Sequence, residues 1–119
     1  MLFGSSGIRQ EFGPGLVDLA LRIGAAAADG AQGIVVGRDT RTTSKLLEHC
    51  VIAGMLSAGA TVYTCGIAPT PTVAHATGCV DAGCMITASH NPESYNGVKL
   101  LTPDGSSFTR RQQAAIEGA

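Results

Sequence analysis

The chain has 119 residues, enough for one domain with a single core and too few for two. With 45% hydrophobic, 14% charged and 4% aromatic residues and no Trp, it has a globular composition whose core must be built from Val, Ile, Leu, Ala and Met. A formal net charge of -1 gives no footprint for a nucleic-acid or anionic-membrane partner, and no segment is apolar for long enough to span a bilayer.

The start, Met1-Leu2-Phe3-Gly4, lacks the basic flank and apolar run of a signal peptide, which points to the cytoplasm. Gly13-Pro14 opens a helix, with Pro14 tolerated in its first turn. Leu16, Leu19, Ala20, Ile23, Ala26 and Ala27 then recur at helical spacing until Asp29-Gly30. The β-branched run Ile34-Val35-Val36, bounded by glycines, predicts a buried strand, and 37–43 is a polar loop. A second helix is expected over 44–58. Leu46, Leu47, Cys50, Val51, Ala53, Gly54 and Leu56 give it a broad apolar surface, which predicts packing on more than one side.

A strand over 61–65 follows, then a turn at Pro69 and Pro71 and a short helix through Val73 and Ala76. Cys84-Met85-Ile86-Thr87 predicts a strand, 88–96 a polar loop, and Val98-Lys99-Leu100-Leu101 a further strand ending at the turn Pro103-Asp104-Gly105. The tail over 109–117 has the pattern of a last amphipathic helix. Strands alternating with helices indicate an α/β domain, three-layered, with a mixed, mostly parallel sheet flanked by helices. The closely spaced final strands admit an antiparallel member.

The four cysteines (Cys50, Cys65, Cys79, Cys84) show neither C-x-x-C pairing nor zinc-ligand spacing, and read as small buried hydrophobes in a reducing compartment. Without H-E-x-x-H the histidines do not support a zinc hydrolase, and His49 and His75 take no role.

Chemistry-bearing residues concentrate in Thr87-Ala88-Ser89-His90-Asn91-Pro92 and the stretch through Lys99. A buried strand delivers Ser89 to a loop at its carboxyl end, where ligands of parallel sheets bind. G-x-S-x-G is absent and His90 is adjacent in sequence, so Ser89 is not the nucleophile of a Ser/His/Asp triad. A hydroxyl that carries a phosphoryl group needs cations and donors around it, such as a metal, Arg9, Lys99, His90 or Asn91. Taken alone, each has a bland alternative: a turn for the serine loop, a solvated strand residue for Lys99, a surface charge for Arg9. Arg38 and Asp39 read as shaping a loop by hydrogen bonding, and Arg41 stays open between the two readings.

Thr87-Ala88-Ser89-His90-Asn91-Pro92 resembles the phosphoserine signature of the α-D-phosphohexomutase family. Phe3-Gly4-Ser5-Ser6-Gly7-Ile8-Arg9, Gly37-Arg38-Asp39-Thr40-Arg41, Pro69-Thr70-Pro71-Thr72 and Asn96-Gly97-Val98-Lys99 resemble further family elements, in the family's order. Gln10 departs from the glycine usual after the loop arginine. The resemblance implies that 1–119 is the family's first domain, with domains II–IV absent from this chain. It implies catalytic roles for Ser89, Lys99, Arg9 and His90, with Arg9, His90, Asn91 and Lys99 binding phosphate or substrate. Ser89 would carry the phosphoryl group and offer one of its oxygens to Mg2+, whose remaining ligands belong to the missing second domain. A hexose bisphosphate would be intermediate and activator.

The implied activity is interconversion of hexose 1-phosphate and hexose 6-phosphate. The N-terminal loop and Tyr95-Asn96-Gly97 lean towards the phosphomannomutase/phosphoglucomutase branch. A phosphoglucosamine mutase fragment, or a stand-alone sugar-phosphate binding module without turnover, are the alternatives. The expected partners are a small hexose phosphate and the enzyme's other domains, with no nucleic acid and no membrane. The isolated chain is expected to be inactive, because its metal site is incomplete.

Overall fold

In the computed structural model, which describes residues 7–104, 106 and 108, the chain builds five strands and three helices. They are β1 (Ile8–Glu11), α1 (Pro14–Ala28), β2 (Gly33–Arg38), α2 (Ser44–Ser57), β3 (Thr61–Ile67), α3 (Thr70–Thr77), β4 (Ala82–Ile86) and β5 (Tyr95–Leu101). The strands form one sheet in the order β1-β5-β4-β2-β3. β2 pairs in parallel with β3 and β4, while β5 pairs antiparallel with both β4 and β1. Four strands therefore point the same way and β5 alone is reversed, which is the mixed, mostly parallel sheet expected.

Alternation along the strands divides the core. Ile34, Val36, Ala82, Cys84, Ile86, Val98 and Leu100 face α1 and α2 in one cluster with Leu16, Ile23, Leu47 and Val51. Val35, Met85 and Leu101 face the other way, against Val73 of α3. The result is three layers. α3 sits close to the sheet because glycines lie under it: a Cβ at Gly37 would strike Val73, and one at Gly83 would strike Thr77. Thr77 itself is buried and donates its hydroxyl to Val73 O at 2.8 Å.

Several expectations are modified. β1 was not anticipated as a strand; its pairing with β5 (Ile8 with Val98, Arg9 with Gly97) supplies a partner that local sequence does not reveal. Tyr95 and Asn96 belong to β5 rather than to the preceding loop, and β3 extends to Ile67. α2 packs against both α1 and the sheet, as expected, burying Leu47, Val51, Gly54 and Met55, but part of its apolar surface stays open: Leu46 and Leu56 are 47% and 55% exposed and Ala53 is exposed as well. The cysteines are also not uniformly buried. Cys84 is, and burial, with Glu48 adding to it, pushes its thiol up to about 12. Cys50 and Cys65 are half-buried, and Cys79 is exposed after α3. The predicted helix over 109–117 lies outside the described residues.

α1 and α2 cross through two glycines. A Cβ at Gly24 would fall on the Val51 carbonyl, and one at Gly54 on the Leu21 carbonyl. Helix propensity favours Ala over Gly by about 1 kcal/mol, but overpacking against backbone costs about 1–3 kcal/mol, so the clash decides the sign. Gly24→Ala should lower the urea midpoint, whereas Gly15→Ala, with nothing within 4 Å, should leave it unchanged or raise it. Equal effects of the two would contradict this packing.

Candidate functional site

The backbone reverses at the carboxyl end of β4, and Ser89 stands at that reversal with φ 56°, the one positive-φ non-glycine among the described residues. Side chains rarely adopt this left-handed conformation, which costs about 1–3 kcal/mol and persists only where the surroundings over-determine it. Here they do. The Ser89 N–H donates to Thr87 Oγ1 at 3.0 Å, and Asn91 donates from its backbone N–H and its Nδ2 to Ala88 O, at 3.1 and 2.8 Å. Ser89 and His90 are exposed, and Asn91 is half-buried.

Arg41, from the loop after β2, holds the reversal from beneath. Its Nη2 donates to Ser89 O (2.9 Å) and Asn91 O (2.8 Å), and its Nη1 to Pro92 O (2.7 Å) and Tyr95 O (3.2 Å). Asp39 steadies this arginine, accepting from its Nε at 3.2 Å and from its backbone N–H at 3.1 Å. Asp39 also accepts from Ser44 Oγ, and Ser44 Oγ in turn accepts from Nδ2 of the fully buried Asn96 at 2.9 Å. Asn96 Nδ2 also reaches Thr43 Oγ1 at 2.8 Å, and its Oδ1 accepts the Gly97 N–H at 2.8 Å.

Arg9 and Lys99 come from the two neighbouring strands. Arg9 is the register partner of Gly97, whose carbonyl also accepts the Thr87 N–H at 3.1 Å, so residues 9, 97 and 87 form one row across three strands. Gly97 leaves room for the arginine stem: a Cβ there would lie 3.0 Å from Arg9 Cγ. Lys99 pairs with Met85 two residues along, about 7 Å from that row, on the same sheet face as Gly97 and Leu101. Burial and the charge of Arg41 both depress the Arg9 pKa, and Arg9 Nε is buried without an acceptor. Two guanidinium groups thus stand close together, and of the two only Arg41 has carboxylates within ion-pair distance among the described residues, Asp39 at 3.2 Å and the more exposed Glu93 at 3.9 Å. That is an environment suited to an anion.

The structure gathers Ser89, Asn91, Thr87, Arg9 and Arg41 around one strand end and sets Lys99 on the adjoining face. His90 is exposed beside Ser89. His49, on α2, meets the Lys45 carbonyl of its own helix at 2.7 Å, and His75 lies on α3. Arg38 pairs with the buried Glu48 at 2.8 Å, and Asp39 bonds within its own loop, so both shape structure as expected. An apolar groove of about 710 Å³ between α1 and α2, lined by Phe12, Pro14, Val17, Leu21, Leu46 and His49, includes none of Ser89, His90, Asn91, Lys99, Arg9 and Arg41.

Sequence reasoning missed Thr43, Ser44 and Asn96 and left Arg41 undecided. The available signal was a charged strand-to-helix loop, Asp39-Thr40-Arg41, facing a second polar loop rich in carbonyls. As for magnesium, which takes oxygen ligands, the described residues contain no group of three or more His, Cys, Asp or Glu able to hold a metal. The exposed Ser89 hydroxyl offers a single oxygen position, which fits one ligand of such an ion and no more.

A family profile described as phosphoglucomutase/phosphomannomutase, alpha/beta/alpha domain I, matches residues 1–119. The chain belongs to this family. It is 50% identical over 117 residues to a Methanococcoides burtonii protein named "Probable phosphoglucosamine mutase", covering 98% of the chain and 27% of that protein. It is 47% identical over 117 residues to the phosphoglucosamine mutase of Methanococcus aeolicus, covering 98% and 25%. The crystal structure of a phosphoglucomutase/phosphomannomutase family protein from Burkholderia thailandensis superposes with a TM-score of 0.84 at 30% identity, covering 98% of this chain and 29% of that one. The chain spans about a quarter of the length of the curated relatives it matches. No helix among the described residues is long and apolar enough to cross a membrane.

Asn96 links the Ser89 side of the site to the start of α2. Asn96→Ala leaves the Thr43 and Ser44 hydroxyls and the Gly97 N–H without this partner, and should destabilise the chain by about 2–3 kcal/mol in chemical denaturation. A loss under about 0.5 kcal/mol, the size of an ordinary surface change, would count against the network.

Proposed function

We propose that this chain is the phosphoserine-bearing domain of a cytoplasmic phosphohexomutase, which interconverts hexose 1-phosphate and hexose 6-phosphate through a hexose bisphosphate. One observation carries the reading: Ser89 is presented at positive φ, exposed, on the α/β domain of a phosphoglucomutase/phosphomannomutase family member, two residues beyond the row of Thr87, Gly97 and Arg9, whose buried Nε has no protein acceptor.

In the proposed reaction the bond between Ser89 Oγ and phosphorus breaks while the sugar hydroxyl oxygen bonds to phosphorus. The hydroxyl proton passes to uncharged Lys99 acting as base, and Ser89 Oγ takes a proton from solvent water, to which it gives it back in the return step. The bisphosphate turns over, and its other phosphoryl group returns to Ser89 with Lys99 now serving as acid. Arg9, whose fork of donors matches phosphoryl oxygens, orients the transferring group, and Asn91 and the exposed His90 lend neutral donors beside it. A phosphoryl oxygen on Ser89 would be one ligand for Mg2+, which when bound would supply charge neutralisation to the transferring group. Its other ligands, and the surfaces that select the sugar, come from further domains of the same enzyme.

The phosphomannomutase/phosphoglucomutase leaning rests on the N-terminal loop and Tyr95-Asn96-Gly97. A second reading, glucosamine phosphate as substrate, is favoured by the names of the Methanococcoides burtonii and Methanococcus aeolicus relatives.

The chain alone, supplied with Mg2+, a bisphosphate activator and the 1-phosphates of glucose, mannose or glucosamine, should yield no 6-phosphate. Clear turnover would show that its own residues suffice. In a protein carrying this chain as its first domain, mass spectrometry should find phosphate on Ser89, and Ser89→Ala should cut turnover by ~10³-fold or more. Near-normal rates for that variant would remove Ser89 as the carrier.

A further inference from the structure

We infer that Arg41 is a positioning residue for phosphoryl transfer: it fixes the conformation in which Ser89 is presented and touches no substrate itself. The inference rests on the proposed role of Ser89 and extends it to a residue outside the phosphate-binding set.

Donor accounting leads there. An arginine side chain has five N–H donors and no acceptor. In Arg41 each donor has an acceptor in the protein: Asp39 Oδ2 for Nε, the Pro92 and Tyr95 carbonyls for Nη1, and the Ser89 and Asn91 carbonyls for Nη2. The side chain is only 10% exposed. No donor is left to grip a phosphoryl group, which separates Arg41 from Arg9, whose buried Nε has no acceptor.

The arrangement has two consequences at the serine. First, four carbonyl oxygens, three from the serine loop and one from the first residue of β5, converge on one point, and such dipoles repel one another unless a cation stands between them. With the Ser89 carbonyl drawn to the guanidinium and its N–H drawn to Thr87 Oγ1, the residue is held on both sides of its Cα at φ 56°. Second, carbonyls turned inward keep their negative ends away from the exposed hydroxyl, where a phosphoryl dianion would be repelled by them. Arg41 is itself anchored through Asp39 and Ser44 to Asn96 of β5. A lysine at this position would keep the charge but, with three donors on one nitrogen, could not bridge four carbonyls and Asp39.

The test uses Arg41→Lys and Arg41→Ala in this chain, isotopically labelled for NMR. The unsubstituted chain should show the strong intraresidue HN–Hα contact of a positive-φ residue at Ser89. Both variants should lose it while the signals of β2 and β3 keep their positions. Should Arg41→Ala fail to fold, Arg41→Lys decides alone. A Ser89 contact that survives in Arg41→Lys overturns the inference. In a protein carrying this chain as its first domain, Arg41→Lys should lower kcat for hexose phosphate isomerisation by ~10²-fold with KM changed less than about threefold, the signature of misplacement rather than lost binding. An unchanged kcat, or a loss confined to KM, also overturns it. Full activity of Ser89→Ala would instead sink the phosphoserine reading and leave the NMR result standing, so the two failures are told apart.

Discussion

Three parts of the chain meet at the Arg41 guanidinium: the loop after β2, the reversal after β4 and the first residue of β5. The carbonyls of Ser89, Asn91, Pro92 and Tyr95, which would otherwise face solvent or each other, converge on this cation. Because the side chain is nearly buried, each bond acts in a medium of lower dielectric than water and counts for more than it would on the surface. Asp39 balances the charge and passes the constraint to Ser44 and Asn96, and so to the start of α2 and of β5. The left-handed Ser89 is one end of this chain of bonds, and the rigid sheet is the other.

The reversed strand β5 gives the site its remaining shape. Running antiparallel to β4, it returns from the serine loop and places Gly97 and Lys99 on the face opposite α1 and α2, while β1 lays Arg9 across Gly97 on the same side. α3, only eight residues long, packs on β2 and β4 through Gly37 and Gly83. The two cationic side chains therefore lie beside the short helix rather than beneath it. On the other face, Val98, Leu100 and Ile8 are covered by the α1 and α2 layer. One face of β5 thus builds core along its length, and the other carries Lys99 beside the buried Leu101, in a domain that amounts to about a quarter of its curated relatives.

Much of the fold was legible. The β-branched run at Ile34-Val35-Val36 and the helical spacing from Leu16 to Ala27 report burial directly, because the period of the apolar residues matches the period of the element. β1 was not legible: four residues of mixed character become a strand only because β5 offers them hydrogen bonds. Nor was it legible which part of the apolar surface of α2 stays open, since Leu46 and Leu56 carry the same hydrophobic signal whether or not a neighbour covers them. The same holds for the cysteines, where Cys79, in the turn after α3, and Cys84, in β4, differ in burial by place in the fold and not by any local pattern.

By itself the sequence determined the α/β alternation, the order of the motifs and the concentration of polar chemistry from Thr87 to Lys99, because each is a property of neighbours along the chain. Only the tertiary structure decided that Ser89 takes a left-handed conformation, that Arg41 spends its Nη donors on the carbonyls of the serine's loop and of Tyr95, and that Arg9 keeps a donor without an acceptor. These depend on groups 48 to 54 residues apart in the case of Arg41. Their hydrogen bonds exist only once the sheet has set the register between β1, β4 and β5, and no local periodicity encodes a contact of that range.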